Sequence, residues 1–257
     1  YNNVTQGYYI QVSYKGTKYH GWQIQPNAIS VQEILNKAFS TILREDIEIT
    51  GAGRTDTGVH ASYFMAHFDT SQKDLHNNSK LNFKINGILP NDISIQEIFL
   101  VKDDAHARFD ATSRTYHYCL HQQKDPFLTE TSYYFSHKLD IDLMNKACEL
   151  LKQFTDFTSF SKLHTDVKTN NCNIANAFWA QDNHILKFEI TADRFLRNMV
   201  RAIVGTLLDI GKYKITLKDF IRIIENKNRS NAGTSAPAHG LFLSNITYDR
   251  DIFVSST

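Results

Sequence analysis

Two stretches of this chain run through the same order of hydrophobic periods, and that order narrows the fold more than any single motif does. Residues 7–14 (GYYIQVSY) are aromatic and β-branched, which reads as a strand. From Val31 the apolar positions are Val31, Ile34, Leu35, Ala38, Phe39, Ile42 and Leu43, which are helical offsets. Ser30 fits the N-cap of that helix, and Glu33 completes a capping box. Residues 47–52 and 62–69 read as strands, 74–88 as an Asn-rich helix, and 92–101 as strand again.

The second stretch repeats the order. Residues 114–122 read as a strand, and Met144, Ala147, Leu150, Leu151 and Phe154 mark a helix over 141–154. Strands follow near 172–181 and 184–192. The next helix carries Leu196, Met199, Val200, Ile203, Val204, Leu207 and Leu208. A further helix covers about 217–227, and 240–248 form the last strand. The repeat is one of arrangement, not of residues. Such an order gives an antiparallel sheet with helices packed on one face. The expected fold is α+β: two split β-α-β halves, ferredoxin-like or RRM-like, over residues 1–104 and 105–257. Their mainly antiparallel sheets are expected to join side by side, with an active-site cleft between them.

Several classes drop out. No apolar run approaches the roughly 20 residues that span a bilayer, and no signal peptide is visible. The sequence opens at Tyr1 without methionine, so a few native residues are expected ahead of it. Cys119, Cys148 and Cys172 lie far apart with no C-x-x-C pair, which argues against zinc and against a disulfide framework and fits a reducing cytosol. His117 and His121 are four apart on a strand, roughly 13 Å, too far to share a metal. There is no phosphate-binding loop pattern and no G-x-G-x-x-G after a strand. Net charge is only +1, but Thr191–Arg229 holds nine Lys/Arg against four Asp/Glu. That local excess suits a phosphate-facing surface and equally a solvated helix face.

Element order does not give function, and split β-α-β modules include ligand binders, metal carriers and RNA-binding domains. The loop "GAGRTDTGVHA" (51–61) is more informative. An aspartate in a hairpin loop commonly makes an Asx-turn with its own backbone. Here Gly51, Gly53 and Gly58 suggest close approach to another body, and Arg54 adds a ligand for phosphate or carboxylate. A carboxylate that catalyses must be held, partly desolvated and balanced by a cation.

"GRTDTGVHA" resembles the signature G-R-T-D-A-G-V-H-A of the TruA family of tRNA pseudouridine synthases. Five more stretches resemble the family in the same order: "YKGTKYHGWQ" (14–23), "ARFDATSRTYHY" (107–118), "DFTSFS" (156–161), "FLRNMVRAIVG" (195–205) and "APAHGLFL" (236–243). Lys15, Thr57 and Asp110 depart from the usual Asp, Ala and Ser. The resemblance implies isomerisation of uridine to pseudouridine at tRNA positions 38 to 40, without metal or organic cofactor, by a cytoplasmic homodimer with tRNA laid across both subunits. It maps the catalytic aspartate onto Asp56, the tyrosine that stacks on the flipped base onto Tyr116, and the basic partner of the aspartate onto Arg201. Arg54 is then expected to help extrude the nucleotide through its phosphate, and Leu241 and Leu243 to wall the pocket. His60, Lys15, Lys18, Trp22, Arg194 and Arg197 are assigned to the RNA-binding surface. Tyr19 is grouped with Lys15, Lys18 and Trp22 in one RNA-facing loop. Arg194, Arg197 and Arg201 fall three and four apart, as on one helix face. The guanidinium of Arg201 is expected within hydrogen-bonding reach of the Asp56 carboxylate.

Other classes compete with this expectation. A catalytically silent RNA-binding protein would have a broken aspartate loop, and this loop is intact. An aspartyl phosphotransferase would want further acidic residues to hold Mg²⁺. A synthase acting on another RNA stays open, because substrate choice depends on how RNA shape is read.

Overall fold

Gln6–Tyr14 forms strand β1, and Tyr8, Tyr9, Ile10, Val12 and Tyr14 are buried along it. The computed structural model describes residues 4–162 and 169–255. The chain divides into two units, residues 1–112 with 243–257, and residues 113–242.

The first unit continues with α1 (Val31–Leu43), β2 (Thr50–Gly51), β3 (His60–Thr70), α2 (Ser79–Ile88) and β4 (Ile93–Leu100). β1 pairs antiparallel with β3 on one side and β4 on the other, with Tyr8 opposite Phe68 and Leu100. This central place explains its near-continuous burial. Helix α1 starts where Ser30 Oγ accepts the Glu33 N–H at 3.3 Å. It buries Val31, Leu35, Ala38, Phe39 and Leu43, and Phe39 meets Phe68 at 5.2 Å between ring centres. It stops at Arg44, whose φ of 53° is left-handed.

The strand expected over 47–52 is only Thr50–Gly51, paired to β3 through Thr50 and His67. Side chains of α1 take the preceding backbone groups instead. Ile47 N–H donates to Ser40 Oγ and Ile49 N–H to Asn36 Oδ1, each at 2.9 Å, and Gln32 Nε2 donates to the Ile49 carbonyl at 2.7 Å.

Next come β5 (Ala111–His121), β6 (Tyr133–Tyr134), α3 (Ile141–Leu151), β7 (Ile174–Asp182), β8 (Ile185–Ala192), α4 (Met199–Gly211) and α5 (Leu217–Asn226). In the second unit β8 lies between β5 and β7, antiparallel to both. Leu186, Phe188, Ile190 and Ala192 on β8 are buried while Lys187 is exposed, the alternation of a strand with one covered face. The two-residue β6 adds a parallel pairing through Leu120 and Tyr133, which hydrophobic alternation did not reveal. Asp140 caps α3 through the Leu143 N–H at 3.0 Å, and Thr216 with Asp219 closes a capping box on α5.

The last strand, β9 (Leu241–Tyr248), returns the chain to the first unit from Leu243 onward. That unit's sheet has the order β4-β1-β3-β9. The α+β class and the mainly antiparallel sheets are as expected.

One helix boundary differs. The helix expected to include Leu196 begins at Met199, because Asn198 is left-handed at φ 66°. The Arg197 carbonyl accepts the Lys162 N–H instead of starting a helix. Arg194 and Arg197 therefore do not share a helix face with Arg201. Among the described residues no helix is long and apolar enough to cross a membrane.

Candidate active site

The backbone turns sharply at Asp56. Its carbonyl accepts the Val59 N–H at 3.0 Å, and Gly58 sits at φ 82°. A positive φ at the third residue is what a type II turn requires, and glycine takes it without steric cost. Asp56 is half-buried, while its neighbours Arg54 and Thr57 are exposed.

A second loop, residues 14–22, lies directly against this turn. Gly58 N–H donates to the Tyr19 carbonyl at 3.3 Å and Trp22 N–H to the Thr55 carbonyl at 3.4 Å. Gly16 N–H donates to His60 Nδ1 at 2.8 Å, and Tyr14 Oη shares a 2.7 Å hydrogen bond with Thr55 Oγ1. A Cβ on Gly16 would lie 2.0 Å from the Val59 carbonyl oxygen, and one on Gly21 2.2 Å from that of Thr55. The body that the glycines admit is thus the chain itself. Gly51 contributes by leaving room for the Trp22 indole, 2.4 Å from where its Cβ would be, whereas Gly53 has open space around it.

This layering decides where the first unit's candidate residues sit. Arg54 is exposed beside the turn, and Lys15 and Lys18 are exposed on the second loop. Lys18 lines an open groove of about 460 Å³ together with His20, Ile24, Ile29 and Glu33. Trp22 and His60 are wholly buried, so neither offers a face to a ligand. The indole packs on Phe64, 4.3 Å between ring centres, and supports the turn from beneath. Tyr19 is also buried and donates to Asp92 Oδ1 at 2.5 Å; burial, helped by that carboxylate, pushes its phenol well above the ordinary range.

In the second unit Tyr116 lies on β5, half-buried, with its ring edge-on to Phe195 at 5.0 Å. Arg201 is in the first turn of α4. Its Nε donates to the Ala236 carbonyl at 2.9 Å, and Ala236 N–H donates back to the Arg201 carbonyl at 2.9 Å. The segment around Ala236 reaches α4 this closely because residue 205 is glycine; a Cβ there would meet the Thr234 carbonyl oxygen at 1.8 Å. Arg229 holds the same segment through Gly233 and Ser235. Arg194 Nη1 donates to the carbonyls of Thr169 and Asn171 at 2.9 and 3.2 Å, while Arg197 is exposed. Leu241 and Leu243 are both buried.

The sequence reading missed Tyr14, Gly16 and Gly21 as supports of the Asp56 turn, although all three stand in "YKGTKYHGWQ". The two glycines were the available signal. Asp110, which departs from the usual Ser and is expected to alter local contacts with RNA, makes its contacts within its own loop. Its carboxylate accepts the His106 N–H at 2.7 Å and closes a short turn in which His106 Nδ1 accepts the Arg108 and Phe109 N–H groups at 3.2 Å. Among the described residues no group of three or more His, Cys, Asp or Glu is placed to hold a metal ion.

An α+β chain with antiparallel sheets that presents Arg54 and Asp56 on a glycine-built turn, held from beneath, falls in the pseudouridine synthase class. A family model described as tRNA pseudouridine synthase matches residues 10–110 and 147–249, and the chain belongs to that family. It is 55% identical to tRNA pseudouridine synthase A of Bacteroides fragilis over 249 residues, 96% of this chain and 98% of that protein. Identity to the protein of the same name from Bacteroides thetaiotaomicron is 53%, over 98% of this chain and 94% of the relative. The one from Caldicellulosiruptor bescii is 37% identical over 93% and 98%. Pseudouridine synthases are isomerases.

Proposed function

We propose that this chain isomerises uridine to pseudouridine in the anticodon arm of tRNA, at positions 38 to 40. The observation that carries this is Asp56: a half-buried carboxylate on a turn fixed on both flanks, inside "GRTDTGVHA". The C1′–N1 bond breaks, the uracil turns, and C5 bonds to C1′. The proton leaving C5 is balanced by one gained at N1, so the product is an isomer and no net electrons are transferred. A stacked uridine is out of reach, so the nucleotide is flipped out before reaction.

Asp56 is the nucleophile on the flipped nucleotide. Tyr116 stacks on the uracil, and Leu241 and Leu243 supply apolar surface. Arg201 balances the charge of the aspartate and keeps it ionised. Arg54 holds the phosphate of the extruded nucleotide, and Lys15, Lys18, Arg194 and Arg197 meet the RNA backbone. Trp22 and His60, being buried, serve from beneath the surface. The enzyme works in the cytoplasm as a homodimer.

Asp56→Asn keeps size and hydrogen bonding and removes the charge. It is expected to abolish pseudouridine formation while weakening tRNA binding by less than about tenfold. Turnover near wild type would rule Asp56 out.

A further inference from the structure

We infer that Tyr14 and His60 are positioning residues for Asp56: through Thr55 and Gly16 they lock both flanks of the turn that carries the carboxylate. The inference rests on the role proposed for Asp56.

Tyr14 ends β1 and is 4% exposed. Its ring packs against Phe64 and Trp22, 5.8 and 6.3 Å between centres. A phenol placed in such apolar surroundings needs a partner for its hydroxyl. It finds one in Thr55, also buried, the residue immediately before Asp56. The Thr55 carbonyl is taken by Trp22 N–H, so both the side chain and the backbone of this residue are fixed.

His60 does the same on the far side of the turn. Its imidazole is wholly buried, and Nδ1 accepts from Gly16. Nδ1 therefore carries no proton in this geometry, and the ring is the Nε2–H tautomer. Between the two flanks, Gly58 N–H is held by Tyr19. The backbone that carries Asp56 cannot shift without breaking buried hydrogen bonds at one end or the other. Misplacing a reacting group by about 1 Å can cost on the order of a hundredfold in rate. These contacts thus act on the chemical step and not on affinity for RNA.

The test is single-turnover pseudouridine formation at saturating tRNA, with tRNA Kd and thermal midpoint measured on the same preparations. Tyr14→Phe keeps the packed ring and drops the hydroxyl. It is expected to slow the step by about ten- to a hundredfold while Kd stays within about threefold. Thr55→Val should do the same, and Thr55→Ser should restore most of that loss. The double variant Tyr14→Phe with Thr55→Val should be no slower than the slower single, since both remove one hydrogen bond. His60→Asn, which keeps an acceptor, should retain more rate than His60→Leu. An unchanged rate in folded Tyr14→Phe, a loss confined to Kd, or additive effects would overturn the assignment. Asp56→Asn measured alongside separates the two ideas. Activity in that variant sinks the nucleophile assignment itself. An inactive Asp56→Asn beside a fully active Tyr14→Phe sinks only the positioning role.

Discussion

Arg201 and Ala236 are joined twice, by Ala236 N–H to the Arg201 carbonyl and by Arg201 Nε to the Ala236 carbonyl, each at 2.9 Å. The first bond is backbone only and survives any substitution at 201. The second orients the guanidinium plane. Arg201→Leu is therefore expected to leave the fold in place and cost at least about a hundredfold in kcat. Lysine should recover only part of this, because it has neither Nε at that point nor a planar fork. Circular dichroism together with turnover checks both halves. Full activity in Arg201→Leu would remove the arginine from the mechanism.

Tyr116 meets Phe195 edge-on, so one ring contact is retained by phenylalanine and lost in alanine. Stacking on a base is worth about 1–3 kcal/mol. Activity is expected to fall from wild type to Tyr116→Phe to Tyr116→Ala. If Phe is as damaged as Ala, the hydroxyl itself takes part, and stacking alone is the wrong role. If both variants lose stability but folded enzyme keeps its activity, the ring is only a packing element.

Binding to tRNA should weaken steeply between low and physiological salt, as several phosphates are neutralised. The basic excess of residues 191–229 is only partly available for this. Lys212 pairs with Asp209 at 3.7 Å and Lys227 with Asp156 at 3.5 Å. Arg197, being exposed, is expected to lower the salt slope by about one when changed to Ala, uniformly across tRNAs. A flat salt dependence of the wild type would mean that this segment faces solvent.

His67 gives stability a pH dependence. Its Nδ1 accepts the Ala107 N–H at 3.0 Å, which needs the unprotonated atom. Burial first, then the neighbouring His106 imidazole, lowers its pKa to about 4, against the opposing pull of Asp110. The unfolded chain, near 6.5, binds a proton that the folded chain refuses. The contribution is thus complete above about pH 6.5 and disappears as pH falls through about 4. Discounted for a ring only half-buried, it amounts to about 1–2 kcal/mol. Urea unfolding at pH 7 and pH 4.5 should show that loss in the wild type and a smaller one in His67→Asn. Equal losses would place the dependence elsewhere.

Most elements were legible because their burial is one-sided. The offsets from Val31 to Leu43 and the alternation in β8 each follow from facing the core of their own unit on one side. Other features were not legible, for local reasons. The start of α4 depends on one left-handed residue, Asn198, which no hydrophobic period marks. The shortness of β2 depends on Ser40 and Asn36 capturing backbone groups across a bend. Trp22 reads as an RNA-facing aromatic beside lysines, since composition cannot say which way an indole points. Its inward course is opened by the missing side chain at Gly51. Asp56 stood out in the sequence, but the loop beneath it did not, because the two become neighbours only when β1 and β3 pair.

The return of β9 to the first unit has a consequence during synthesis. Residues 113–242 are translated between the first 112 residues of that unit and most of the strand that flanks β3. Domains ordinarily fold in the order in which they emerge. Here the half carrying Asp56 begins first and is finished only when β9 is added, after the whole of the other unit has been made.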